Sequence, residues 1–163
     1  MFILASTSPR RKELMKDICP SFSIITKEID EEASYKLSPL EAVKDIAYRK
    51  GIEIARDYPN DIVISADTIV TINGKIIGKP KSKEHAFETL SMLSGKKHEV
   101  ITAFSIFHNG QVIRDYCVSE VYFANLSEQL INEYIESGSP MDKAGAYGIQ
   151  DKEFDLVNHI EGS

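Results

Sequence analysis

A mixed α/β architecture, with a central sheet flanked by helices, is what this sequence predicts, and three observations carry it. Short apolar runs read as strands alternate with longer segments that open on Ser-Pro or serine caps and read as helices. Two Asn-Gly dipeptides, Asn73–Gly74 and Asn109–Gly110, mark tight hairpins. Interspersed helices together with hairpins favour a mixed sheet over a pure βαβ wind.

Phe2–Ala5 is a short apolar strand, and Ser8–Pro9 then caps a helix carrying Leu14, Met15 and Ile18 before Pro20. Phe22–Thr26 reads as a second strand, followed by an acidic loop. Ser38–Pro39–Leu40–Glu41 has capping-box spacing and starts a long helix to about Asp57. Asp61–Ile72 is a strand region that turns back through Asn73–Gly74 into Ile76–Ile77. Ser82 caps a helix that ends at Leu93–Ser94–Gly95. His98–Phe107 and Gln111–Ala124 flank the His108–Asn109–Gly110 hairpin, and Ser127 caps a helix that stops at Gly138. A polar loop, Ser139–Gln150, leads to a last apolar stretch around Phe154–Ile160.

The 163 residues fit one domain of two small lobes at most, and 42% hydrophobic with 27% charged content excludes disordered and low-complexity classes. No apolar run approaches the ~20 residues of a bilayer span, and the amino terminus turns polar at once without a basic n-region. The expectation is a cytoplasmic protein without membrane association. Cys19 and Cys117 have no metal-ligand spacing and read as small buried hydrophobes in a reducing compartment. A net charge of −6 argues against a nucleic-acid partner. Locally, Arg10, Arg11, Lys12 and Lys16 oppose only Glu13, while Glu28, Asp30, Glu31 and Glu32 stand together without a cation. Adjacent patches of opposite sign suit a small polyanion held with a divalent metal.

Several residues break the pattern of their own element, which is where function tends to show. Asp67 interrupts Ile62–Val63–Ile64–Ser65–Ala66 and Thr68–Ile69–Val70. A charged carboxylate there needs a metal ion or a lysine beside it; the plainer alternative is a turn residue between two strands. Lys50 fills the position missing from the stripe Val43, Ala47, Ile54, so its ammonium either snorkels to the rim or points into a cleft. Ser8–Pro9–Arg10–Arg11 places two arginines on the first turn of a helix that follows a strand, either an anion site or a solvated basic turn. Gly74–Lys75–Ile76–Ile77–Gly78–Lys79–Pro80 fails as a P-loop on spacing and on Pro80, but leaves Lys79 as a phosphate contact. The acidic stretch is a solvated loop or the source of one more carboxylate for a metal site with Asp67. His98 and His159 read as structural, and GxSxG, HExxH and GxGxxG are absent from the sequence.

Taken together, Leu4–Ala5–Ser6–Thr7–Ser8–Pro9–Arg10–Arg11, Ile64–Ser65–Ala66–Asp67–Thr68, Gly78–Lys79–Pro80, Leu93–Ser94–Gly95 with His98, and Pro140–Met141–Asp142–Lys143–Ala144–Gly145–Ala146–Tyr147–Gly148–Ile149–Gln150 resemble the Maf family of septum-formation-associated nucleotide pyrophosphatases. The resemblance implies an elongated two-lobed fold with a central cleft, like that of inosine triphosphate pyrophosphatases. It also implies cytoplasmic hydrolysis of a nucleoside triphosphate to monophosphate and pyrophosphate. Asp67 matches the general base. Arg10, Thr68 and Gln150 match the positions that set base preference, in the combination of the dTTP/UTP-preferring branch, with modified pyrimidines as further substrates. Glu31, Lys50 and Lys79 match positions of metal or phosphate handling. The expected scheme has Mg²⁺ or Mn²⁺ held by Glu31 and Asp67, with Lys50, Lys79 and Arg11 on the phosphates, Ser8 at the same helix start also binding substrate, and Thr68 and Gln150 reading the base. A homodimer is implied, as is a single Maf-like domain over 1–163 that ends short of the family's closing strand and helix. The alternative function is a nucleotide-binding regulator of cell division and septum formation that does not turn its ligand over.

Overall fold

The computed structural model describes residues 1–138, 147 and 156–162. Its elements, in chain order, are β1 (Phe2–Leu4), α1 (Pro9–Ile18), β2 (Ser23–Ile24), a 3₁₀ turn over Glu31–Lys36, α2 (Pro39–Asp57), β3 (Ile62–Ile72), β4 (Lys75–Ile77), α3 (Lys83–Leu93), β5 (Lys97–His108), β6 (Gln111–Phe123), α4 (Glu128–Glu136) and β7 (Val157–Gly162). The strands form a mixed seven-stranded sheet in the order β2-β1-β3-β5-β6-β7, with β4 paired to β3. The chain divides into two compact units, one of residues 1–67 and 102–116, the other of 68–101 and 117–163.

In the first unit β1 runs parallel to both neighbours, with Ile3 opposite Ser23 and Val63. α2 covers this part of the sheet because its stripe of Val43, Ile46, Ala47 and Ile54 is fully buried. Ile3, Ala5, Ile54, Val63 and Phe107 make the core, with Tyr48 tilted against Phe107 at its edge. The approach of helix to strand is close enough for the Ser65 hydroxyl to donate to the Ala47 carbonyl at 2.6 Å. Gly51 makes that approach possible, since a Cβ there would lie 2.5 Å from both Ser65 Oγ and Phe107 Cε2. Gly51→Ala is therefore expected to destabilise the protein by about 1–3 kcal/mol, overpacking outweighing the gain in helix propensity. A lowered midpoint in urea denaturation checks this.

The second unit is built on Val70, Ile72, Leu90, Leu93, Val121, Phe123 and Tyr134, all buried. Both hairpins turn on two left-handed residues, Asn73–Gly74 and Asn109–Gly110, as the Asn-Gly signal requires. His98 is 1% exposed. Its Nε2 lies 2.6 Å from the Tyr147 hydroxyl, and its ring stands edge-on to Phe123. Its Nδ1 has no hydrogen-bond partner among the described residues. Burial pulls the imidazole from its ordinary 6.5 down to about 4, and it raises the Tyr147 phenol. As pH falls from 6.5 toward 4 the unfolded chain takes up this proton before the folded one. The stability contributed by the neutral ring is thus whole above 6.5 and lost through that window, on the order of 2–3 kcal/mol. Denaturant titrations across this range should show the slope, flattened in His98→Asn.

Four details depart from the sequence-based expectations. Only Met15 of α1 is buried, whereas Leu14 and Ile18, four residues apart on one stripe, face solvent, Ile18 at 72% exposure. The acidic loop ends in a 3₁₀ turn, Glu31–Lys36, rather than continuing irregular to the helix. The second strand is two residues, Ser23–Ile24, because only those pair with β1. Cys19 and Cys117 are free but half-buried, not core residues. Cys19 closes α1 at the surface, its N–H bonded to the Met15 carbonyl. The loop expected over Ser139–Gln150 lies outside the described residues except for the buried Tyr147.

Candidate active site

Asp67 is the centre of the site. It lies inside β3 rather than at a turn, on the face that also carries Val63 and Ser65, and it is 8% exposed. The counter-charge is a lysine. Lys50 projects from α2 with its Nζ 3.0 Å from Asp67 Oδ1 and 2.9 Å from Glu31 Oε1, so one ammonium links both carboxylates. The close seating of α2 on β3 at Gly51 and Ser65 brings the neighbouring Lys50 and Asp67 within reach of each other.

Burial pushes the Asp67 carboxyl above its ordinary 3.8, and Glu31 adds to the rise, while Lys50 and Arg11 draw it down. The upward direction prevails, so desolvation outweighs the paired ammonium. Arg11 feels the same pair: burial lowers its affinity for a proton, and Asp67 and Glu31 offset only part of that fall. Its Nη1 donates to Ser6 Oγ at 3.4 Å, and its backbone N–H donates to the Ser8 cap at 3.3 Å. Ser6, buried in the β1–α1 turn, also accepts from the Ser8 N–H. The start of α1 thus aims one arginine toward the acidic pair.

Glu31 opens the 3₁₀ turn, and that turn is held by α2 through residues the sequence reading missed. Arg49 donates through Nε to Asp45 Oδ2 at 3.0 Å and through Nη2 to the Asp30 carbonyl at 2.9 Å. It also bonds Ser34 Oγ, which donates to Asp45 Oδ2 at 2.6 Å. Tyr35, on the same turn, has its phenol raised by burial and by the charges of Glu31, Asp67 and Glu32.

Of the expected site residues, Asp67, Lys50, Glu31 and Arg11 are thereby brought together, with Ser8 as the cap beneath Arg11. Arg10 lies on the exposed side of α1 and pairs with Glu13 at 3.6 Å. Thr68 follows Asp67 on β3 and begins the second unit, where Lys79 is exposed in the segment after β4. Gln150 lies outside the described residues. Among the described residues, three or more His, Cys, Asp or Glu side chains able to share a metal ion do not cluster. No described helix is long and apolar enough to cross a membrane.

This mixed α/β fold is shared with a solved structure, the Staphylococcus aureus Ham1 protein, at a TM-score of 0.53 and 16% identity over 95% of this chain and 90% of that one. The likeness is one of fold, and it agrees with the mixed sheet flanked by helices expected above. The chain belongs to the Maf family: the family model described as Maf-like protein matches residues 1–163. Among its relatives, the dTTP/UTP pyrophosphatase of Fusobacterium nucleatum is 48% identical over 98% of this chain and 84% of its own length. That of Alkaliphilus oremlandii is 46% identical with the same coverage, and that of Pyrococcus abyssi 43% over 99% and 86%.

Proposed function

We propose that residues 1–163 act as one Maf-like domain in the cytoplasm that hydrolyses nucleoside triphosphates, dTTP and UTP first among them, to monophosphate and pyrophosphate. The observation that carries this reading is a buried strand carboxylate, Asp67, paired with Lys50 next to a second carboxylate. Well-packed apolar residues often serve a fold as well as a buried ion pair, whereas water-driven cleavage of a phosphoanhydride needs a base and nearby cations.

Asp67 accepts the proton of the attacking water. Lys50 and Arg11 stabilise negative charge on the phosphates, and Ser8 fixes the helix start from which Arg11 reaches. Lys79, Arg10, Thr68 and Gln150 keep the roles the resemblance implies, phosphate contact for the first and choice of base for the others. The oxygens of Glu31 and Asp67 that converge on the Lys50 ammonium also define a point suited to another cation. Their hard-oxygen chemistry fits Mg²⁺ or Mn²⁺, which Glu31 and Asp67 would hold. Such an ion would supply neutralisation of triphosphate charge there.

A panel of dTTP, UTP, modified pyrimidine and purine triphosphates, with pyrophosphate as readout, tests the reading. Pyrimidine-selective release is the expected result, with Gln150→Ala lowering the dTTP-to-purine ratio. Saturable nucleotide binding without pyrophosphate would instead support a regulator of cell division. Sedimentation of the same preparation tests the proposed homodimer.

A further inference from the structure

Three consecutive acids start a 3₁₀ turn, Asp30 as its cap and Glu31 and Glu32 as its first two residues, and of its six residues only Ser34, at 2% exposure, is buried. Short 3₁₀ segments have poor hydrogen-bond geometry, and adjacent carboxylates repel. The turn therefore owes its place to α2, where two successive residues grip it. Lys50 takes the Glu31 side chain at 2.9 Å, while Arg49 takes the main chain one residue earlier, at the Asp30 carbonyl, and the Ser34 hydroxyl. Asp45, one helical turn before Arg49, anchors both: it accepts from Arg49 Nε and from Ser34 Oγ. The Ser34 bond foremost, and then the Arg49 bond and charge, hold the Asp45 carboxyl below its ordinary range.

We propose that Arg49 is a positioning residue for the reaction, fixing Glu31 opposite Asp67 through a brace with Asp45 and Ser34. The proposal rests on the pyrophosphatase reading for its catalytic consequence, but not for its structural one. A planar guanidinium meets Asp45, the Asp30 carbonyl and Ser34 at once; an ammonium meets fewer of them in one plane. Arg49→Lys is thus a graded lesion that keeps the charge, and Arg49→Met is the full one.

The first measurement is amide hydrogen exchange of the nucleotide-free, metal-free protein. Exchange across 30–36 should rise at least about tenfold in Arg49→Met and by less in Arg49→Lys, with β3 and the body of α2 unchanged. The second is a double-mutant cycle on kcat/KM for pyrophosphate release. Arg49→Met should cost about tenfold to a hundredfold alone, and less than about twofold in a Glu31→Gln background, because its effect passes through Glu31. Unchanged exchange at 30–36, or Arg49 and Glu31 effects that multiply fully, overturns the proposal. Wild-type protein that releases no pyrophosphate overturns the pyrophosphatase reading instead, and the exchange result then still decides whether Arg49 holds the turn.

Discussion

Asp67→Asn is expected to lower pyrophosphate release by about 10²–10⁴-fold while raising the melting temperature of the nucleotide-free protein at neutral pH. The two effects share a cause. Burial lifts the Asp67 carboxyl above its ordinary 3.8 even with Lys50 at 3.0 Å. Between 3.8 and that raised value the folded chain keeps a proton that the unfolded chain has given up. Stability therefore falls as pH rises through the window, and the deficit persists in full above it. Asparagine has the same shape and no charge to desolvate, and Lys50 retains Glu31 at 2.9 Å. Calorimetry from pH 4 to pH 8 should show the variant gaining on the wild type as pH rises. A variant less stable than wild type at pH 7 would show that the Lys50 pairing outweighs desolvation, and unimpaired turnover would remove Asp67 from the base role.

Lys50→Met is expected to cut turnover by about 10²–10³-fold, the loss typical of one positioned charge donor, and to reverse the pattern of stability. Without the ammonium, Glu31 and the buried Asp67 face each other as like charges, and the carboxyl of Asp67 moves further up. Removing one partner from a half-buried cluster costs about 2–4 kcal/mol, regained in acid as the carboxylate is neutralised. Mn²⁺ alone should then stabilise the variant more than the wild type, because the metal no longer competes with the ammonium for the same oxygens. Thermal shift with and without Mn²⁺ reads this directly. An equal shift in both proteins would place the metal elsewhere than Glu31 and Asp67.

How much of this was legible beforehand follows from which interactions are local. Ser8, Ser38, Ser82 and Ser127 each accept from the N–H three residues on, as their spacing predicts, because a cap is chemistry within one turn. Asp67 and Lys50 stood out because each offends the periodicity of its own element, and the lysine alternative for the counter-charge is the one the structure holds. Glu31 was different. The residues alone offered an undivided acidic run, and only the family resemblance picked Glu31 from it. What physically selects Glu31 is Lys50, nineteen positions away, and Arg49, which reaches back to Asp30 and Ser34. The Asp45–Arg49 pair has helical i,i+4 spacing, but nothing in that spacing reveals donors left over for another segment. Tyr35 was hidden for the same reason. Gly51 went unread in the sequence, since a lone glycine in a helical pattern signals only a cost in propensity, yet it marks the point where α2 and β3 meet.

The ammonium at the acidic centre comes from the chain's own helix, at Lys50 of α2. Glu31 and Asp67 meet through a cation that is part of the polypeptide itself, so their approach is written into the packing of α2 on β3.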